Sequence, residues 1–441
     1  MNTIREVAAP PSKSVSHRTV IAAALGAGES RLANVLESED LTRTMEILSV
    51  GGAHFERLGE GLYAVRGVSG TLAGGAQEPV SCDVGESGTT CRLLTAVLAA
   101  GLGYFRVHGA PRMHERPIGE LVSALRSQGV TVDYEGREGY PPLCINTHGM
   151  SGGDVSIGMS DSSQYLSGLL MAAPLGKSMT IHVTGDKAVS WPYVGLTLQV
   201  MEDFGHRFQV EVREEDGWAP RDWRTLHEVA PGATRFAMRS GMYSAGDYRV
   251  EGDWSNASYF LAAGAIGPNP VRVTGLRADS LQGDKAMVDI LRRMGASLEQ
   301  DASGITVFPS PLRGIEIDMG KCPDLVPTVA VLAAFAQSPT LVTNVAHLRI
   351  KECDRLAGPV AELAKAGVRA EVREDGLVVF PAGLPAVDAA HKPVFTAYND
   401  HRMAMSLSLL ELAGIPVTLD DPNCVAKSFP AFWHKWNRVR A

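Results

Sequence analysis

Apolar and polar positions alternate on a long period along this chain of 441 residues, and the same phrase recurs six times. A polar cluster opens an Ala/Leu-rich stretch, which stops at small residues and is followed by a short β-type run. The first copy opens at Ser12 (SKSVSHR, then TVIAAALGAG). The others open at Glu86 (ESGTTCRLLTAVLAAG), Asp161 (DSSQYLSGLLMAAPLG), Asp253 (DWSNASYFLAAGAIGP), Cys322 (CPDLVPTVAVLAAFAQ) and Tyr398 (YNDHRMAMSLSLLELAG). The stretches are apolar on every face, which predicts helices buried all round. In five copies an amphipathic helical pattern follows, then Gly and an alternating run: Gly52, Gly129, Gly205, Gly295 and Gly367. Gly suits the left-handed position just past a helix end, and the period-2 run predicts a strand with one buried face. Each unit therefore reads β-α-β-α-β-β.

The openings lie 74, 75, 92, 69 and 76 residues apart. That period exceeds the roughly 20–50 residues of solenoid repeats, so the units are expected to pack as globules. The length suits two domains, and three repeats each is the simple division. The stretch 206–248 lengthens the third copy and predicts an extended hairpin plus loop before the chain crosses over.

Composition narrows the class. No apolar run approaches the roughly 18 residues of a membrane span, and the first residues (MNTIREVAAPPSKS) lack the apolar region of a signal peptide. The six cysteines (Cys82, Cys91, Cys144, Cys322, Cys353, Cys424) are scattered without a C-x-x-C. That spacing predicts reduced thiols in a cytoplasm and argues against a zinc site or disulfide frame. Net charge is −8, which argues against a nucleic-acid binder. A six-repeat clamp around nucleic acid would also need Lys and Arg along its inner helices, and these helices are apolar.

The cations that remain are therefore informative. Lys13, Arg18, Arg92, Arg116, Lys351, Arg355, Arg402 and Lys427 all sit in the polar clusters. Arg offers a planar fork suited to phosphate and carboxylate, and a helix N-terminus attracts anions. Gly88, between Ser87 and Thr89, allows close backbone approach. Ser162, Ser163 and Gln164 add neutral donors. A lone Arg at a helix start is usually solvated, and a run such as IKECDR is usually a salt-bridged face. The coincidence of clusters at equivalent places in a repeat points instead to shared function. If two three-repeat domains face each other, all six clusters meet in one cleft. Asp324 and Glu352 lie in the same clusters, and a carboxylate among cations stays ionised and can act as a base. Cys91 and Cys353 lack a His pattern that would activate a thiolate.

PSKSVSHR, SGTTCRLL, GAPRMHERPIGEL, SSQYLSGLLMAAPL, IKECDRL and YNDHRMAM together resemble the 5-enolpyruvylshikimate-3-phosphate synthase family, in order from about Pro10 to Pro430. The resemblance implies a two-domain inside-out α/β barrel of six βαβαββ repeats, three per domain. The first domain would span 12–249 and the second 1–11 plus 250–441, with the active site in the cleft between them. It implies transfer of the enolpyruvyl group of phosphoenolpyruvate to the 5-hydroxyl of shikimate-3-phosphate, with release of phosphate, in aromatic amino acid biosynthesis. The reaction passes through a tetrahedral intermediate and needs no metal or organic cofactor. A cytoplasmic monomer without membrane or nucleic-acid partners is expected.

By the same resemblance, Lys13, Ser14, Arg18, Ser162, Ser163, Gln164, Ser190, Asp324 and Lys351 hold shikimate-3-phosphate. Lys13, Gly88, Arg92, Arg116, Gln164, Arg355, Arg402 and Lys427 hold phosphoenolpyruvate. Asp324 is the expected base for the 5-hydroxyl. Glu352, with Lys13 nearby, is the expected proton donor to the methylene carbon, and His401 assists. Two phosphates of about −1.5 to −2 each, plus two carboxylates, bring roughly −5 to −6 of charge; eight cations can offset that.

Three positions depart from the family pattern. Glu86 stands where Asn is usual, so it must pair (with Arg92 or Arg402), be protonated or point away; Trp191 and His347 also differ. Gly88 matches a position where Ala narrows the phosphoenolpyruvate pocket in glyphosate-tolerant members, so sensitivity to glyphosate is expected. The sister enzymes acting on UDP-N-acetylglucosamine carry a reactive Cys before an Arg-Pro; here the loop reads GAPRMHERPIG, and no Cys lies between Cys91 and Cys144. Enolpyruvyl transfer to that or another acceptor is the alternative reading.

Overall fold

The computed structural model describes residues 3–381 and 393–441. The chain forms two compact units: Ser12–Val250, and Met1–Pro11 with Glu251–Ala441. Each of the six sequence copies contributes a helix that opens at its polar cluster. In the continuous unit these are Lys13–Leu25, Gly88–Ala99 and Ser163–Ala172. In the discontinuous unit they are Trp254–Ile266, Val326–Ala334 and His401–Leu407. Five are capped by a side chain of the cluster: Ser12, Ser87, Ser162, Asp253 and Asp400 each accept from a backbone N–H of the first turn. Such a cap stabilises a helix by about 1 kcal/mol. The fifth helix instead follows a 3-10 turn, Pro323–Leu325.

These helices are as thoroughly buried as their composition requires. Every residue from Ser16 to Leu25, Trp254 to Ala265 and Val326 to Ala334 is buried. The sheets lie outside them, and the pattern within each sheet repeats. A parallel pair flanks the buried helix, then an antiparallel hairpin completes four strands. In the second copy the order is Val80–Asp83, Leu102–His108, Leu143–His148, Thr131–Tyr134. The fifth repeats it with Glu316–Asp318, Thr340–Thr343, Leu377–Phe380 and Arg369–Val372. The glycine turns before the hairpins adopt positive φ at all five positions, from 76° at Gly367 to 111° at Gly52.

The first and fourth copies obtain their leading strands from elsewhere in the chain. Asp247–Arg249 pairs in parallel with Glu29–Ala33, closing the continuous unit on itself. Arg5–Ala8 pairs in parallel with Val271–Thr274, which ties the start of the described chain to the discontinuous unit. The third copy extends to five strands through a hairpin of Phe208–Glu214 and Gly217–Arg221, within the stretch 206–248 expected to form an extended hairpin plus loop. Its second helix, Trp191–Asp203, is largely buried rather than amphipathic. Among the described residues the sixth copy has only a two-stranded sheet, Val394–Phe395 with Thr418–Leu419, and ends in the helix Phe432–Arg440.

Candidate functional site

Polar contacts between the buried helices place their N-termini at one end of each unit. In the continuous unit, Arg18 lies one and a half turns into its helix. It donates from Nε to Thr197 Oγ1 (2.7 Å) and from Nη2 to Ser167 Oγ (3.5 Å) and the Tyr193 carbonyl (3.0 Å). Its Nη1 donates to the Ser14 carbonyl at 2.8 Å. Thr197 and Ser167 lie at similar depths in the helices Trp191–Asp203 and Ser163–Ala172, so Ser14, Ser162, Ser163 and Ser190 share one end. Ser190 reaches it in a left-handed conformation, φ 57°.

Arg18 is 1% exposed and all its partners are neutral oxygens. Burial lowers its pKa to about 10, the shift expected of a cation without a counter-charge. Arg92 is also buried, donating from Nη1 to Gln164 Oε1 (3.0 Å) and from Nη2 to the Pro117 carbonyl (3.3 Å). Its Nε has no partner. Gln164 donates onward to Thr89 Oγ1 at 2.9 Å, so one side chain spans two helix starts. The buried Arg116 donates to the Glu86 carbonyl at 3.2 Å. A Cβ on Gly88 would come within 2.4 Å of Arg116 Nη2; the glycine makes room for the guanidinium.

Lys13 pairs with Asp40, which the sequence reading passed over because ESED looks like a solvated acidic run. Asp40 is buried. Its carbonyl accepts from Thr90 (3.2 Å) and Thr44 (3.2 Å), and Thr44 meets His17 Nδ1 at 2.9 Å. The network fixes Lys13 relative to the turn at Ser87–Gly88. Burial and the adjacent Lys13 and Arg18 push the His17 pKa well down, so His17 is neutral and structural.

In the discontinuous unit, Ser258, Thr328 and Ser406 form a hydroxyl contact across the three buried helices at 3.5 and 3.2 Å, and again the polar ends coincide. Arg355 is buried among three carboxylates: Asp400 (2.7 Å from Nε), Asp324 (2.9 Å from Nη1) and Glu352 (2.7 Å from Nη2). Arg402 donates to the other oxygen of Asp324 at 2.7 Å. Asp324 thus bridges two guanidinium groups. Asp400, fully buried, also caps its helix by accepting from Arg402 N at 2.9 Å. Asp400 lies inside YNDHRMAM, and its N-cap position was the available signal.

Lys427 donates to the carbonyl and side-chain oxygens of Asn399, at 2.6 and 2.7 Å. Tyr398 and Asn399 are left-handed, φ 55° and 52°, and this turn aims Asn399 at Lys427. His401 is buried at the helix start, and Lys351 is half-buried after the turn Ala346–Ile350. Cys91 and Cys353 are buried and their thiols are shifted upward by burial, so neither is an activated nucleophile.

A family model described as EPSP synthase (3-phosphoshikimate 1-carboxyvinyltransferase) matches residues 3–436. A 3-phosphoshikimate 1-carboxyvinyltransferase of Marinomonas sp. (strain MWYL1) is 40% identical, covering 98% of this chain and 96% of its own. The protein of that name from Cellvibrio japonicus (strain Ueda107) is 41% identical, with 98% and 95% covered. Among solved structures, an EPSP synthase from Acinetobacter baumannii aligns with a TM-score of 0.75 at 25% identity, covering 99% of this chain and 96% of its own. The enolpyruvyl transferase NikO from Streptomyces tendae shares the fold (TM-score 0.73, 19% identity, 99% and 96% covered).

Proposed function

Because the chain belongs to the EPSP synthase family, we propose that it moves the enolpyruvyl group of phosphoenolpyruvate to the 5-hydroxyl of shikimate-3-phosphate and releases phosphate. The observation that carries the site assignment is the pair of buried guanidinium groups, Arg18 and Arg92, whose partners are all neutral. An uncompensated buried charge is costly, and an anionic substrate relieves it. In this reading Arg18, Lys13, Ser14, Ser162, Ser163, Ser190, Asp324 and Lys351 receive shikimate-3-phosphate. Arg92, Arg116 and Gly88 receive phosphoenolpyruvate, with Arg355, Arg402 and Lys427. Gln164, bonded to Arg92, reaches both substrates.

The reaction then divides among the carboxylates. Glu352 gives a proton to the methylene carbon of phosphoenolpyruvate, making the adjacent carbon electrophilic. Asp324 takes the proton of the 5-hydroxyl as its oxygen bonds to that carbon. The tetrahedral adduct then returns a methyl proton to the Glu352 carboxylate and loses phosphate, which takes the proton from Asp324; this restores the double bond and both carboxyl groups. Without substrate, Asp324 is held by Arg355 and Arg402. Phosphoenolpyruvate drawing on the same two arginines loosens that hold when the hydroxyl arrives. His401 orients this cluster from the helix start.

Among the described residues no helix is long and apolar enough to cross a membrane. The six free cysteines support a reducing cytoplasm, and the reading needs only a monomer. The test is phosphate release from purified protein with each substrate omitted in turn. Release is expected only with both, and loss of it in Lys13→Met and Asp324→Ala. Release with UDP-N-acetylglucosamine in place of shikimate-3-phosphate, and none with shikimate-3-phosphate, overturns the acceptor assignment.

A further inference from the structure

The first turn of the buried helix Trp254–Ile266 carries a polar knot that the reaction above does not use. Gln282 clamps the helix start: its Oε1 accepts from Trp254 N (3.0 Å) and its Nε2 donates to the Gly252 carbonyl (2.8 Å). Two residues on, Asp284 is 2% exposed, and its carboxyl accepts a hydrogen bond from Ser255 Oγ. The same helix packs against the turn Gly283–Ala286, which carries Asp284, and the turn Pro323–Leu325, which carries Asp324. Asp284 and Asp324 therefore converge on one helix end. Asp324, Arg402 and the helix cap Asp253 are among the charged groups that act on Asp284, and the Cys322 thiol lies in the field of both Asp284 and Asp324.

We propose that Asp284 is a positioning residue that governs the Asp324–Arg402 pair through its own proton. As a carboxylic acid it leaves Arg402 to Asp324 and to the incoming anion. As a carboxylate it adds a second negative charge beside Asp324, competes for Arg402 and repels phosphoenolpyruvate. Burial, and after it the charge of Asp324, raises the Asp284 pKa to about 7, while Arg402 and the Ser255 hydrogen bond oppose the rise. Two carboxylates sharing a site resist ionising together, so the switch falls near neutral pH. This inference rests on the reading that Arg402 and Asp324 meet the substrates.

The test compares the KM for phosphoenolpyruvate in wild type and Asp284→Asn between about pH 6 and pH 8. Asn keeps the shape and an acceptor for Ser255 but cannot ionise. Substrate ionisation is common to both proteins, so the difference isolates Asp284. KM is expected to rise about threefold or more with pH in wild type and to stay within about twofold in Asp284→Asn, at the wild-type low-pH value. Ser255→Ala removes a bond that favours the carboxylate and moves the transition to higher pH. A structural role alone would move none of these profiles. Identical profiles in wild type and Asp284→Asn, or a flat wild-type profile, overturn the inference. Difference infrared spectra give a readout that needs no turnover: a protonated carboxyl band at about pH 6, lost in Asp284→Asn. Absence of that band in wild type overturns the inference. Absence of phosphate release from wild type at every pH, with the band present, overturns the reaction assignment instead.

Discussion

Replacing Gly88 by Ala perturbs the proposed phosphoenolpyruvate site by a distance that can be worked out. The new Cβ would sit 2.4 Å from Nη2, 2.7 Å from Cζ and 2.8 Å from Nη1 of Arg116. Ordinary contact begins near 3.4 Å, so the guanidinium must retreat by about 1 Å. Arg116 is 4% exposed and Nη1 is bonded to the Glu86 carbonyl, so it cannot simply swing into water. A misplacement of about 1 Å in a binding group can cost on the order of 10²-fold. We expect the KM for phosphoenolpyruvate to rise about 10- to 100-fold and the KM for shikimate-3-phosphate to stay within about twofold, since the displaced group serves one substrate. Initial rates of phosphate release, with each substrate varied against saturating partner, measure both. Unchanged phosphoenolpyruvate KM refutes the argument, because it requires either that Arg116 yields freely or that it does not touch that substrate. Wild type should be inhibited by glyphosate in competition with phosphoenolpyruvate, and Gly88→Ala should weaken that inhibition.

Three further outcomes are expected. Asp400→Ala removes the carboxylate that makes two bonds to the buried Arg355 and the cap of the helix His401–Leu407, and should destabilise the fold by about 3–5 kcal/mol, read from denaturant unfolding. Asp284 has a folded pKa of about 7 against an ordinary 3.8: the unfolded chain releases this proton first, so stability falls as pH rises from about 4 to about 7, by on the order of 4 kcal/mol. Asp284→Asn should therefore melt above wild type at pH 8 and lose that advantage near pH 4, and equal melting temperatures at pH 8 would contradict the assignment. Burial pushes the Cys82 and Cys424 thiols up to about 12 and raises those of Cys91, Cys322 and Cys353. Native protein at pH 8 should accordingly show at most one thiol, Cys144, reacting with a disulfide reagent, and should keep its activity.

Much of the architecture was legible because it is written in local pattern. Helices apolar on all faces had to be interior, and the polar clusters placed their starts within a few residues of the caps Ser12, Ser87, Ser162, Asp253 and Asp400. The two borrowed strands were not legible. Arg5–Ala8 and Asp247–Arg249 are four and three residues long, too short for a periodic signal, and their partners lie more than two hundred residues away. The basic residues of the candidate site stand out in sequence, whereas the acids that hold them do not. Asp40 sits in an acidic run and Asp284 in what reads as a surface turn; only packing reveals that both are buried. Glu86 illustrates a different limit. The sequence drew attention to its charge and gave no sign that its backbone carbonyl accepts from Arg116.

The pairing of Arg5–Ala8 with Val271–Thr274 has a consequence for biosynthesis. A ribosome adds about 5–20 residues per second, and 266 residues separate Arg5 from its partner Val271. The strand therefore emerges about 13–50 seconds before the edge it will join exists. The intervening unit, Ser12–Val250, is complete in itself, closed by its own Asp247–Arg249, and can fold in that interval. Its finished form delivers Glu251–Gly252 to the waiting Pro10–Pro11, as the bridge between Pro11 and Gly252 and the bond from Asp253 N to the Pro10 carbonyl (2.8 Å) record. The order of synthesis thus lets the unit Ser12–Val250 close on itself first, while Arg5–Ala8 has no edge to join until synthesis has passed residue 274.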